Sequence, residues 1–380
     1  MDFTLDTEHK QIKDMVSEFT DEEIKPRAKE IDKEDEFPAN LIDEMAELGL
    51  LGMPIAEEYG GAGLDYHAYA TALEEISRGS GGVGTIVAAH ISLACNMIDD
   101  FGNEAQKEEY LTPLAEGREI GAFGLSEAGA GSDVPAMETT AEKDGDEYVV
   151  DGGKLWISNG SVAETVIVFA KTDPEAGPKG ISSFIMRREE DDGFVVEGTE
   201  EKLGDKGCPT AELRFDSVRI PESRRLGEEG EGLLQALKTL NGGRITIAAR
   251  SVGIAQAALD EALAYAQDRE QFDQPISDFQ AIQHKLADMD TKIAAARMLM
   301  HRAADLKMRG EDYRKEAAQA KLYASEISRE VANEGIQIHG GYGYVKDFPA
   351  ERFLRDAKIN EIYEGTSEVL RNTIADSLLG

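Results

Sequence analysis

Residues 146–170 read DEYVVDGGKLWISNGSVAETVIVFA, and this stretch decides the fold. Strand-forming residues cluster in two short runs, Tyr148-Val149-Val150 and Thr165 to Ala170. Asp151-Gly152-Gly153 and Asn159-Gly160 stand between them as turn signals. Working outward, Ile181 to Met186, Phe194-Val195-Val196 and Leu213 to Ile220 continue the pattern, with Asp144-Gly145 and Asp192-Gly193 as punctuation. No long helical pattern separates these runs. That argues against parallel βαβ units and for a small antiparallel barrel or sandwich.

The text on both sides is helical. After Thr7, a suitable N-cap, Ile12, Met15, Val16 and Phe19 fall on one face of a 3.6-residue repeat. Leu41, Ile42, Met45 and Leu48 repeat the pattern between Pro38 and a stop at Gly49. Helical stretches follow at Tyr66–Ser77 and Thr85–Phe101. From Gly232 onward, Leu286, Met289, Ile293, Ala296 and Met300 alternate three and four apart, the seam of a helix bundle. The expected fold is mainly α with a central β domain. A helical domain (1–118), a small antiparallel β-barrel (119–230) and a C-terminal four-helix bundle (231–380) should pack as one body, since no repeat or low-complexity linker interrupts them.

Among 380 residues, 75 are Asp or Glu and 40 are Lys or Arg, a balance of 40 − 75 = −35. Such a polyanion argues against nucleic-acid binding and against docking on anionic membranes. Two cysteines, Cys95 and Cys208, have neither metal spacing nor a disulfide framework, and no metal site is expected. Met1 to Asp6 lacks the features of a signal or transit peptide. The most apolar stretch, Val83 to Cys95, falls short of the ~20 residues a spanning helix needs. A soluble, cytoplasmic protein is expected.

Gly79-Ser80-Gly81-Gly82-Val83-Gly84 matches G-x-G-x-x-G, but a dinucleotide fingerprint follows a strand. Here the preceding residues read as a helix end, so the match is taken as a flexible interhelical turn. Three other pieces carry chemistry. Phe123 to Asp133 alternates glycines with small residues and could cradle an anion or approach a flat ligand; an ordinary surface loop has equal weight. Lys154-Leu155-Trp156-Ile157-Ser158-Asn159-Gly160 holds the single tryptophan, flanked by hydroxyl and amide groups. Glu364 stands between Tyr363 and Gly365 at a break between helices. A carboxylate against an apolar wall there has its pKa raised, while a solvated helix-end glutamate is the plain alternative.

In this order, on a helix–β–helix frame, the pieces resemble the acyl-CoA dehydrogenase family over essentially the whole chain. Glu201-Lys202-Leu203-Gly204, Val218-Arg219-Ile220-Pro221, Gly243-Arg244, Arg269-Glu270-Gln271-Phe272 and Gln337-Ile338-His339-Gly340-Gly341 add to the resemblance. It implies FAD between the β domain and the C-terminal bundle. Phe123, Leu125, Ser126, Gly131 and Ser132 would contact the flavin ring, with Ser132 also touching the CoA moiety. Trp156, Ile157 and Ser158 would cover a flavin face and reach toward N5. Arg269, Phe272, Gln337, Gly340 and Gly341 would hold the adenine-diphosphate end on a neighbouring subunit of a homotetramer. Thr366 and Glu368 would complete the site.

The resemblance also implies the chemistry. Glu364 would remove the α-proton of an acyl-CoA thioester while the β-hydrogen leaves as hydride to the flavin, giving the trans-2-enoyl-CoA. Electrons would pass on to an electron-transfer flavoprotein. Arg244, Tyr363 and Gly365 would lie on the substrate side. In a subgroup the base sits on the helix before the arginine; here that position is Gly243, which cannot act. Three residues depart from the family pattern: Ala128, Asp205 and Asp273, none at the base itself. An acyl-CoA oxidase would share fold and base but pass electrons to oxygen; an acidic partner-binding scaffold would bind no flavin. The excess charge lies outside the resemblance. Asp21-Glu22-Glu23, Glu189 to Asp192 and Glu228-Glu229 are expected in turns or on solvated faces, and point to a halophile's enzyme.

Overall fold

The computed structural model describes residues 7–380; Met1 to Asp6 lies outside the described residues. The N-terminal unit contains α1 (Thr7–Phe19), α2 (Lys25–Glu34), α3 (Ala39–Glu47), α4 (Tyr66–Gly79), α5 (Gly81–Ala88) and α6 (Asn96–Phe101). Two short turns of helix follow, α7 (Glu104–Gln106) and α8 (Thr112–Ala115). Val16, Leu41, Ile42 and Met45 point inward as the periodicity requires, whereas Met15 and Leu48 are exposed. Thr7 is the first helical residue rather than its cap.

The glycines of residues 79–84 are not a flexible turn. Only Ser80 separates α4 from α5; its hydroxyl accepts the Val83 N–H and caps α5. Gly81, Gly82 and Gly84 are buried inside that helix because neighbours leave no room for a side chain. A Cβ on Gly82 would lie 2.0 Å from the Lys206 carbonyl oxygen, and one on Gly84 2.2 Å from the Ser77 hydroxyl. A π-helical segment, Ala89–Cys95, joins α5 to α6. The resulting helix, Gly81–Phe101, has 21 residues and is apolar enough to cross a membrane by length and composition. The helix outruns the apolar stretch Val83–Cys95 because it continues through Asn96–Phe101. Its most apolar stretch is wholly buried inside the protein, where it serves as a core helix.

The central sheet has eight strands: β1 (Gly121–Gly124), β2 (Thr140–Asp144), β3 (Glu147–Ser158), β4 (Thr165–Lys171), β5 (Ile181–Arg187), β6 (Phe194–Thr199), β7 (Thr210–Pro221) and β8 (Arg225–Leu226). Its path is β6-β7-β3-β2-β4-β5-β8, and the pairings along it are antiparallel except at β2–β4. β1 also pairs with β4 in parallel. Both parallel contacts fall on β4 because β1 and β2 line up along it one after the other, at Thr165–Val168 and at Lys171. Central β4 and β5 are buried on both faces, β4 as an apolar run from Val166 to Ala170 and β5 with Ser182 and Ser183 buried within it, whereas β7 turns Leu213 and Phe215 inward and, past exposed Asp216 and Ser217, Val218 and Ile220.

The C-terminal unit packs α9 (Gly232–Asp268), which follows the sheet, against α10 (Gln280–Met308) and α11 (Arg314–His339). The two-residue strands β9 (Glu270–Gln271) and β10 (Gln274–Pro275) form a hairpin between α9 and α10. α12 (Ala350–Lys358) and α13 (Ser367–Leu379) close the chain. Met289, Ile293, Ala296 and Met300 form the buried seam. One apolar cluster runs from Val16 through Tyr148 to Ile245, so all three units share a core. A second joins Leu93 and Ala94 to Phe123, Leu125 and Phe169.

Candidate active site

The break between α12 and α13 is a tight turn in which Glu364 (φ +51°) and Gly365 (φ +97°) both lie in the left-handed region. A non-glycine residue there costs roughly 1–2 kcal/mol, so the surroundings must hold it. The Glu364 side chain is directed at α9. A Cβ on Gly243 would stand 2.2 Å from Glu364 Oε2 and 3.3 Å from Leu93 Cδ2. Gly243 is therefore the space that the carboxylate occupies. Oε2 is buried and has no hydrogen-bond partner. Burial raises the Glu364 pKa to about 7, against the opposing pull of Lys321, Arg244 and Arg250.

Arg244 lies on the same side of the turn: a Cβ on Gly365 would meet its Nη2 at 3.7 Å. Its Nη1 donates to Asn241 Oδ1 at 2.7 Å, while Nε is buried and unpartnered. Tyr363 is held from below, its hydroxyl donating to Asn360 Oδ1 at 3.2 Å and its ring lying under the Arg250 guanidinium. Thr366 accepts the Val369 N–H and caps α13. Glu368, two residues further on, is exposed.

The glycine loop and the tryptophan strand meet. Leu155 N–H donates to the Ser126 carbonyl at 2.9 Å, and buried Lys154 Nζ reaches the Leu125 carbonyl at 3.3 Å and Glu127 Oε1 at 2.6 Å. Glu127 and Ala130 exchange backbone hydrogen bonds, a tight bridge that admits Ala128 at its tip. Phe123 and Leu125 are buried, Ser126 and Ser158 half-buried, Gly131 and Ser132 exposed. Trp156 sits in a register irregularity of β3 at φ +62°, with 55% of its surface exposed beside buried Ile157. An exposed indole on a left-handed residue is an expensive arrangement for a core tryptophan and an apt one for a wall facing a flat ligand.

Arg269, Gly340 and Gly341 come together on a surface cavity of about 500 Å³, which Tyr265, His339 and Tyr342 also line. Arg269 stands over the Tyr342 ring. A side chain on Gly340 or Gly341 would meet open space, so these positions leave a broad approach. Phe272 lies outside that lining and is 88% exposed; Gln337 is exposed as well. Phe272 and Asp273 are the two central residues of the β9–β10 hairpin, at φ +56° and +64°. Both angles are those of a type I′ turn, where glycine is unstrained and aspartate is tolerated.

Two residues escaped the sequence reading. Lys321 of α11 is fully buried and donates to the carbonyls of Tyr363 at 2.9 Å and Gly365 at 2.7 Å. Arg250 of α9 is fully buried as well. It pairs with Asp205, bonds Asn360 and donates to the Gly81 carbonyl. Asp205 thus reaches the base region indirectly, through Arg250. Neither cation announces itself locally. Lys321 stands in an alanine-rich helix, which suits a solvated face as well as a core.

These groups fit a flavin and a thioester: an exposed indole wall, an open glycine surface beside an arginine, and an orphaned buried carboxylate. The N-terminal, middle and C-terminal domains of acyl-CoA dehydrogenase match residues 6–118, 122–218 and 230–379. The chain is 46% identical to the short-chain-specific acyl-CoA dehydrogenase of Clostridium acetobutylicum, with all of both chains covered. Butyryl-CoA dehydrogenase from Megasphaera elsdenii superposes with a TM-score of 0.98 at 42% identity, again covering both chains fully. A chain solved in work on the electron transferring flavoprotein of Acidaminococcus fermentans gives 0.98 at 47%, with the same coverage. The chain belongs to the acyl-CoA dehydrogenase family, whose members are FAD-dependent oxidoreductases.

Proposed function

We propose that this enzyme desaturates a short-chain acyl-CoA thioester between its α and β carbons, with Glu364 as the base. The observation that carries the reading is the buried, unpartnered Glu364 Oε2 in the space left by Gly243. An α-proton is too weakly acidic for an ordinary carboxylate, and a base works best with a pKa near the working pH. Burial supplies that shift. Gly365 leaves the backbone open beside the base, Arg244 supplies a cation on the substrate side, and Tyr363 forms a fixed wall. The Phe123–Ser132 loop, Trp156 to Ser158, Thr366, Glu368 and the Arg269–Gly341 surface would hold FAD, which would supply the acceptor for the β-hydride.

Short acyl chains are supported by the two relatives named for short-chain and butyryl substrates. An electron-transfer flavoprotein is the proposed acceptor, on the strength of the Acidaminococcus comparison. A homotetramer is proposed because exposed Tyr342 and Val345 give the Arg269 cavity an apolar margin. We further propose a cytoplasmic enzyme adapted to concentrated salt, from its charge of −35.

An anaerobic titration of the purified protein with acyl-CoAs from butyryl to palmitoyl tests the reading. Flavin absorbance should bleach most completely with the shortest substrates. The same preparation should yield about one FAD per chain on acid extraction, as contacts spread over three regions require. Re-oxidation by electron-transfer flavoprotein should outpace re-oxidation by oxygen. A flavin that no acyl-CoA bleaches would end the dehydrogenase assignment for this chain.

A further inference from the structure

We infer that Lys321 is the positioning residue of the catalytic turn: its ammonium grips the carbonyls on both sides of Glu364 and presents a positive charge to the carboxylate. The inference rests on Glu364 being the base. Its geometry is independent of that role. Tyr363 and Gly365 bracket Glu364, and Lys321 Nζ binds the carbonyls of both, 42 and 44 residues along the chain. Two of the three ammonium protons are spent on one three-residue turn. Glu364 and Gly365 are both left-handed, a conformation with few local hydrogen bonds to keep it, so a donor arriving from α11 fixes it from outside.

Lys321 is enclosed by small side chains. Ala317, Ala318, Ala320 and Ala324 are fully buried on the same helix and leave its stem in apolar surroundings. An ammonium in such a place is costly unless it is hydrogen-bonded and faces an anion. Both conditions are met at the turn; burial still lowers the Lys321 pKa to about 7, and of the charges that oppose this the Glu364 carboxylate is the strongest. The groups that face Glu364 are Lys321 from α11, Arg244 and Arg250 from α9, Tyr66 and Tyr69 from α4, and Tyr363 beside it. Glu361 and Glu368 act on Lys321 from the turn's flanks. Of the three cations, Lys321 acts most strongly on the base and alone among the described residues touches the backbone on both sides of it.

Removing the Lys321 charge leaves the Glu364 anion less favoured, so its pKa rises further. The base must be ionised to accept a proton; the acid limb of the rate profile therefore moves to higher pH.

The test compares Lys321→Met, Lys321→Gln and Lys321→Arg with the native holoenzyme and with Glu364→Gln. It measures flavin content, the pH dependence of flavin reduction by butyryl-CoA, KM against kcat, and an infrared titration of the Glu364 carboxyl, assigned by subtracting Glu364→Gln. Lys321→Met should keep its flavin and a nearly native KM. Its reduction rate should fall at least ~10-fold, with the carboxyl midpoint about one unit higher, the lower end of what a close opposite charge imposes. Lys321→Arg should restore much of the midpoint. If Lys321→Met does not fold, Lys321→Gln, which keeps donors and drops the charge, carries the same outcomes. A folded Met or Gln variant with native midpoint and rate overturns the inference. If instead Glu364→Gln keeps a native rate, the base assignment fails and Lys321 is not the cause.

Discussion

In the proposed reaction Glu364 is the base, and one backbone angle, one missing side chain and one buried cation set its surroundings. Its left-handed turn aims the carboxylate at α9, and Gly243 gives it room. Glu364→Gln should fold and keep its flavin yet lose at least ~10²–10⁴-fold in flavin reduction, the usual contribution of a positioned base. Glu361→Gln is the control, because Glu361 is spoken for by Arg329 and Lys358. The free-enzyme profile has a defined sign. Glu364 acts as the anion, its pKa is raised to about 7, and kcat/KM should climb with pH through that value rather than near the ordinary carboxylate range. A profile already flat above pH 5.5 would place the base elsewhere. Asp273 makes a quieter point. It holds a left-handed turn position where glycine is free of strain, so Asp273→Gly should leave the fold unchanged and raise thermal stability slightly, within ~1 kcal/mol. A fall in stability would show that the Asp273 side chain has a role of its own.

Elements are tied together at Arg250. Its guanidinium, fully buried, joins α9 to Asp205 after β6, to Asn360 before the catalytic turn and to Gly81 at the start of α5. Asp205 N–H in turn donates to Asp356 of α12 at 2.7 Å. Asp356 has its pKa raised to about 6, by burial first and by the nearby Asp205 charge second. Removing one partner of a buried ion pair strands the other, so Arg250→Met should cost about 3–5 kcal/mol of stability. Arg250→Met combined with Asp205→Leu should recover most of that loss, since apolar replacement of both partners is often neutral. Denaturant midpoints at one fixed salt concentration measure both, and equal losses in the single and double variants would refute the pairing. This junction was illegible in sequence for a physical reason. Periodicity reports faces within an element, and it located the seam at Met289, Ile293 and Met300 and the strands at 165–170 and 213–220. It carries no information on which charged side chain, dozens of residues away, meets which carbonyl. Glu364 and Trp156 stand in dense local motifs that could be noticed, but each motif alone is ambiguous, and only the ordered set resembling the acyl-CoA dehydrogenase family suggests a base and a flavin-facing indole. Lys321 and Arg250 act only across elements, and Asp205 read as a departure until its partner was in place.

At the scale of the molecule the open question is charge. With 75 acidic and 40 basic residues, cations are shared. Arg225 is within ion-pair distance of Glu222, Glu228 and Glu229; Arg224 binds Glu190 and Asp191; Arg355 binds Asp32 and Glu351. The acidic runs are not uniformly solvated as their sequence suggests. Asp191 is buried, Asp21 pairs with Arg78 and Glu23 with Arg27, while no acidic group among the described residues gathers as a metal site. Even so, most of the surplus has no cation to meet, and mutual repulsion opposes both the compact state and any assembly of like-charged subunits. Added salt acts on two opposing quantities. It weakens exposed pairs such as Arg219 with Asp144 and Glu147, each worth little, and it suppresses the summed repulsion of the excess. Buried pairs, Arg250 with Asp205 and Lys154 with Glu127, are screened far less. With a surplus of 35 negative charges the repulsion dominates, so the melting temperature should rise as salt goes from about 0.1 M to 3 M. Most of the rise should come below about 1 M, where the Debye length shrinks from ~10 Å to ~3 Å. Sedimentation over the same range should show the tetramer assembling as salt is added, with subunits favoured at the dilute end. The same screening should ease the approach of anionic acyl-CoA, lowering KM while leaving the pH midpoint of Glu364, set by buried groups, nearly fixed. A tetramer already complete at 0.1 M, with a melting temperature that does not move, would remove salt adaptation from the account of this enzyme and leave its catalytic site untouched.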